Sequence, residues 1–181
     1  WRVSFSNDIS PEKSAAYARR FGPAGHHTGD VWSIDPETLP GRPVLAWASF
    51  PCQDLSLAGA RAGLAAPRSG AFWGFWRLME ALAAEARAPR VLALENVTGL
   101  LSSRNGADFE ALCRALKTAG FRFGALEIDA AHFVPQSRPR VFIVACAGDI
   151  PAGLQGDGPA GPLHSAGVRA ALQSRVPEAS G

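Results

Sequence analysis

The sequence predicts an α/β domain, and three observations carry that reading. Residues 44–49 and 91–94 are short apolar runs of the kind that form buried parallel strands. Apolar residues then recur at helical spacing: Phe72, Phe75, Trp76, Met79, Leu82 and Ala83, and later Phe109, Leu112, Cys113 and Leu116. Strands that alternate with helices in this way build a largely parallel sheet. A length of 181 residues suits one domain.

In chain order, residues 1–7 alternate Trp1, Val3 and Phe5 with Arg2, Ser4 and Ser6, a strand pattern. Ser10 is a good N-cap and Pro11 a good first helical residue. The helix runs to about Phe21, where Gly22-Pro23 stops it. Residues 22–43 read as loop, with His26 and His27 on its surface and a short element near Asp30-Val31-Trp32. Residues 51–70 carry Gly59, Gly63, Pro67 and Gly70 and read as a long functional loop. Gly120 closes the helix marked by Phe109 to Leu116, and residues 121–130 and 140–147 read as two strands in a hairpin-like pair. After Gly148 the composition shifts: residues 151–181 hold ten Gly or Pro, as a linker or the start of another region would.

Composition excludes several classes. Hydrophobic residues make up 47% and charged residues 19%, the reverse of a disordered chain. No apolar run approaches the roughly 18 residues of a membrane span. Asn7 and Asp8 interrupt any signal-peptide core, and the strand-like opening without Met suggests a start inside a domain. The net charge of +2 and pI of 8.7 fall short of the pI above about 9 that marks a nucleic-acid binder by charge alone. Sixteen of the eighteen basic residues are arginines, which a GC-rich genome explains for most of them. Cys52, Cys113 and Cys146 have neither metal-like nor disulfide spacing, and fit a reducing interior.

Open α/β sheets bind ligands at the carboxyl ends of their strands. Asp8 follows the first strand, Pro51-Cys52-Gln53 the second and Glu95-Asn96-Val97 the third. Asp8 suits a ribose, Cys52 suits a nucleophile, and Glu95 suits a proton donor unless a cation holds it ionised. Arg138 and Arg140 alternate into a strand and point the same way, ready to hold an anion. Each has a plainer reading alone: a packed thiol, a structural acid, a solvated basic edge.

Together these residues resemble the DNA (cytosine-5)-methyltransferases. Phe50-Pro51-Cys52-Gln53-Asp54-Leu55-Ser56, Glu95-Asn96-Val97 and Gln136-Ser137-Arg138-Pro139-Arg140 look like three of the family's signature motifs, in its order and at similar separations. Ser6-Asn7-Asp8 with Tyr17, Gly29-Asp30-Val31, Arg68-Ser69-Gly70 and Asn96-Val97-Thr98-Gly99-Leu100 extend the match over roughly residues 1–148. The resemblance implies a Rossmann-like methyltransferase sheet with helices on both faces, incomplete at both ends. Residues 1–148 would be a partial catalytic domain, and 149–181 a linker or the start of a target-recognition region. The family's Phe-x-Gly-x-Gly turn does not precede Trp1, and its last motifs do not follow residue 148.

The resemblance also implies roles. Cys52 would add to carbon 6 of cytosine, Glu95 would hold or protonate ring nitrogen 3, and Arg138 and Arg140 would orient base and acid, with Arg138 nearest the pyrimidine oxygen and the thiol. Asn96 would brace the Pro51-Cys52 turn. Asp8, Ile9, Asp30, Val31 and Pro51 would bind S-adenosyl-L-methionine, with Asp8 on the ribose, Asp30 on the adenine amino group and Val31 on its ring. Gln53, Ser56, Arg61 and Gln136 would contact DNA, and residues 56–66 would close over a flipped base. The implied partners are double-stranded DNA and a cognate restriction endonuclease, with no metal and no membrane, in a bacterial cytoplasm near the nucleoid. Two alternatives stand beside this: the same chemistry on tRNA, and a non-catalytic fragment or remnant.

Overall fold

A computed structural model describes residues 1–51, 70–148 and 163–175. Strand β1 (Ser6–Asp8) leads into helix α1 (Pro11–Phe21). The Ser10 hydroxyl accepts the Lys13 amide at the helix start, and Gly22, at φ +87°, ends it. Strand β2 (His26–Thr28) lies parallel to β1, with Ser6 opposite His26 and Asp8 opposite Thr28.

Two expectations change here. The strand expected over residues 1–7 is confined to 6–8, because its partner offers only three residues to pair with. His26 and His27 are strand residues, not surface loop. Their polarity hides the strand from any apolar pattern. It forms because β1 supplies hydrogen bonds, Tyr17 stacks on His26 at 4.6 Å, and the Ser6 hydroxyl meets His26 Nδ1 at 2.8 Å.

The second sheet has the order β3-β4-β6-β5. Strand β3 (Leu45–Ser49) is parallel to β4 (Val91–Val97). Strands β5 (Phe121–Asp129) and β6 (Pro139–Ala147) form the expected antiparallel pair, and β6 also runs antiparallel to β4. The larger sheet is therefore mixed rather than largely parallel. A hairpin return, needing no crossover helix, puts β6 beside β4. Strand β4 also runs three residues longer than expected. Glu95-Asn96-Val97 lies inside it because β6 pairs with it as far as Val97 opposite Arg140.

Alternation along β4 and β6 separates two faces. Leu92, Leu94, Val141, Ile143 and Ala145 join one core with Phe72, Trp76 and Leu82 of helix α2 (Ala71–Ala84) and Phe109, Leu112 and Leu116 of helix α3 (Ala107–Thr118). Gly74 of α2 sits where a Cβ would come within 2.6 Å of Val31, so the turn after β2 packs closely on this helix. Within the Gly- and Pro-rich stretch, Ala166–Arg175 forms α4, which buries Val168 and Ala171 against α3 and β5. No described helix is long and apolar enough to cross a membrane.

Candidate active site

The opposite sheet face gathers several of the candidate residues. Trp47 on β3, Glu95 on β4, Ile128 on β5, and Arg140 and Phe142 on β6 share it by register. With Ala130, Phe133 and Arg138 they line an open pocket of about 400 Å³, within the size range of small-molecule sites. Glu95 stands opposite Phe142, so Arg140, two residues earlier, is its diagonal neighbour. Arg140 Nε donates to Glu95 Oε1 at 2.9 Å, with about a fifth of each side chain exposed. Arg140 also donates to the Pro139 carbonyl at 2.8 Å, which fixes its guanidinium beside the strand entry. Arg138 lines the same pocket and is exposed.

Asn96 points to the core side. Its Nδ2 donates to the Phe50 carbonyl at 2.9 Å and its Oδ1 accepts the Val97 amide at 2.8 Å. The Phe50 ring is buried and packs on Phe72 with centroids 5.1 Å apart. The last residues before Cys52 are therefore held from both main chain and side chain, and Pro51 itself is exposed. Asn96→Ala leaves the Phe50 carbonyl without its partner, so a loss of about 1–3 kcal/mol of folding stability is expected. A urea titration monitored by Trp fluorescence reads it.

Asp8 and Asp30 sit at the carboxyl ends of the neighbouring parallel strands β1 and β2. Asp8 Oδ1 accepts the Ser10 amide at 2.8 Å, and Asp30 Oδ1 accepts the Trp32 amide at 3.0 Å. Each spends one oxygen on the local turn, and the second takes no hydrogen bond among the described residues. Ile9 is 68% exposed, and Val31 packs toward the core. Cys52, Gln53, Ser56 and Arg61 lie outside the described residues, as does the expected lid over 56–66. Gln136 is exposed on the β5–β6 loop. Among the described residues no group of three His, Cys, Asp or Glu is placed to hold a metal ion. The Cys113 thiol, buried in α3, is pushed up to about 12 by desolvation and then by Glu110, which makes it a poor nucleophile.

Sequence reasoning missed the pocket's apolar walls, Trp47, Phe133 and Phe142, and the residue that shapes its rim. The period of two along β6 would have found Phe142 next to Arg140. The rim residue is Asp129. It accepts the Ala131 amide at 3.0 Å, the Arg138 amide at 2.6 Å and the Ser137 hydroxyl at 2.8 Å. These bonds, the Ala131 amide foremost, lower its carboxyl below the ordinary range. A carboxyl depressed in the folded state stabilises it above the unfolded value of about 3.9 and loses that effect as pH falls through the folded value. Below about pH 3.9 the 130–138 loop is expected to loosen, with amide exchange at Ala131 and Arg138 accelerating ahead of β4. Asp129→Asn removes this pH step.

Comparison with known proteins follows the same lines. The description of the C-5 cytosine-specific DNA methylases matches residues 1–165. The chain is 32% identical over 142 residues to the type II methyltransferase M.MspI of Moraxella sp, covering 78% of this chain and 32% of that protein. It is 32% identical over 147 residues to M.BsuFI of Bacillus subtilis, covering 81% and 34%. The chain thus spans about a third of the length of these two curated relatives. The crystal structure of the S. pombe Dnmt2 methyltransferase superposes with a TM-score of 0.63 at 20% identity, over 83% of this chain and 45% of that one. That likeness establishes a Rossmann-like α/β fold. The family match spans residues 1–165, which include Asp8, Asp30, Cys52, Glu95, Asn96, Arg138 and Arg140, and the chain belongs to the C-5 cytosine-specific DNA methylase family.

Proposed function

We propose that this chain carries the catalytic part of an enzyme that methylates carbon 5 of cytosine in double-stranded DNA. The observation that carries the reading is the Glu95–Arg140 pair at 2.9 Å, set with Arg138 around an open pocket of about 400 Å³, one strand over from β3, the strand that precedes Cys52 in the chain. Carbon 5 of cytosine is a weak nucleophile. The Cys52 thiolate adds to carbon 6, and Glu95 holds or protonates ring nitrogen 3 so that negative charge does not accumulate on the ring. Arg140 fixes the carboxyl, and Arg138 faces the pyrimidine oxygen and the thiol. Carbon 5 is then enamine-like. Loss of its proton after methylation expels Cys52 and restores the aromatic ring. The reacting atoms are inaccessible inside a duplex, so the base must leave the stack.

S-adenosyl-L-methionine, when bound, supplies an electrophilic methyl group. The residues at the ends of β1 and β2 fit it: Asp8 has a carboxylate oxygen to accept ribose hydroxyls, and Asp30 one to accept the adenine amino group. Ile9, Val31 and Pro51 complete the proposed contacts. Gln53, Ser56, Arg61 and Gln136 contact DNA, and Asn96 holds the nucleophile's turn.

The test is covalent trapping. The protein is mixed with S-adenosyl-L-methionine and duplexes carrying 5-fluorocytosine in varied sequence contexts. Fluorine cannot leave as the proton does, so an adduct that survives denaturation is expected, and Cys52→Ser abolishes it. A folded protein that gives no adduct on DNA, or gives one on RNA alone, overturns the proposal.

A further inference from the structure

We infer that Phe133 is an aromatic platform on which the extruded base stacks at the pocket mouth. The inference rests on the pocket reading just given and adds a residue to it. Phe133 is 78% exposed, yet it lines the same pocket as Glu95, Arg138 and Arg140. Exposed apolar side chains are common and by themselves need no explanation. This one stands on a pinned turn. Its amide donates to the Ala130 carbonyl at 2.8 Å, and Asp129 ties the start of the turn to its end through the Ala131 and Arg138 amides. The ring is thus presented to solvent by a backbone fixed at both ends. A base leaving the duplex loses its stacking neighbours, and an aromatic face restores that contact without reading base identity. The pocket's polar groups, Glu95 and the two arginines, then read the ring edge, while Phe133 takes a face.

The experiment uses paired short DNA duplexes with randomised flanks. Both members carry an abasic site opposite the target position, so no base pair has to open. One member has cytosine at the target and the other a second abasic site. Phe133→Ala is expected to lose about tenfold in affinity for the cytosine duplexes, within the range that base–aromatic stacking supplies. It should lose nothing on the abasic ones, and Phe133→Trp should bind both as the unaltered protein does. The ring is exposed, so neither substitution threatens the fold. Equal losses on both duplexes, or none on cytosine, would overturn the inference. The fluorocytosine trap separates the two readings. An unaltered protein that forms the adduct, with no base-dependent loss in Phe133→Ala, removes Phe133 and leaves the pocket. An unaltered protein that forms no adduct removes the pocket reading and Phe133 with it.

Discussion

Glu95→Gln is expected to slow methyl transfer by about 10²–10⁴-fold, the usual worth of a positioned proton donor. The substitution keeps the shape of the side chain and removes its capacity to exchange a proton. In the proposed mechanism the effect falls on kcat, because there the proton is needed as charge develops on the cytosine ring, not when DNA first binds. Arg140 keeps its bond to the Pro139 carbonyl, so the pocket retains a fixed guanidinium. Only about a fifth of each side chain of the pair is exposed, so loss of the ionic contact adds some local destabilisation. Single-turnover transfer of labelled methyl, with Glu95→Asp alongside, separates these effects. A shorter acid restores part of the rate if protonation matters and none if only packing does. A Glu95→Gln rate within a few-fold of the unaltered protein would remove Glu95 from the chemistry.

Phe72→Ala is expected to cost about 3–5 kcal/mol of stability, a large part of the 5–15 kcal/mol typical of a domain. Phe72 is fully buried and touches three rings: Trp73 at 4.8 Å, Phe50 at 5.1 Å and Trp76 at 6.0 Å between centroids. Its removal opens a cavity beneath Phe50. Urea midpoints at constant slope measure the loss, and Trp47→Ala is the contrast. Trp47 is 56% exposed, so its truncation is expected to change stability by less than about 0.5 kcal/mol. If Phe72→Ala behaved like Trp47→Ala, the core built around α2 would be wrong.

Elements that carry their own signals were legible. Ser10-Pro11 and Gly22 bracket α1 as local chemistry requires, and the spacing of Phe109, Leu112, Cys113 and Leu116 marks the buried face of α3. Elements that exist only by pairing were not. Strand β2 is two histidines and a threonine with no apolar pattern, and β1 alone makes it a strand. The end of β4 was placed too early because Glu95 and Asn96 are polar, and only the pairing with β6 extends it to Val97.

The site divides the same way. Residue types at strand ends offered Asp8, Glu95, Arg138 and Arg140 as candidates, and the ordered resemblance to the family's motifs set their plainer readings aside. The resemblance sets Arg138 nearest the pyrimidine oxygen and the thiol; the antiparallel register makes Arg140 the diagonal neighbour of Glu95. The aromatic wall of Trp47, Phe133 and Phe142 comes from three separate segments, and no local pattern joins them. Sequence by itself determined the α/β class, helix α1 with its caps, the buried faces of α2 and α3, and the chemistry available at the strand ends. These follow from neighbours a few residues apart. Tertiary structure alone decided the mixed sheet, the Glu95–Arg140 contact and the walls of the pocket. Those depend on which strands lie side by side and in what register, and a single residue of slip would turn every one of these side chains to the opposite face.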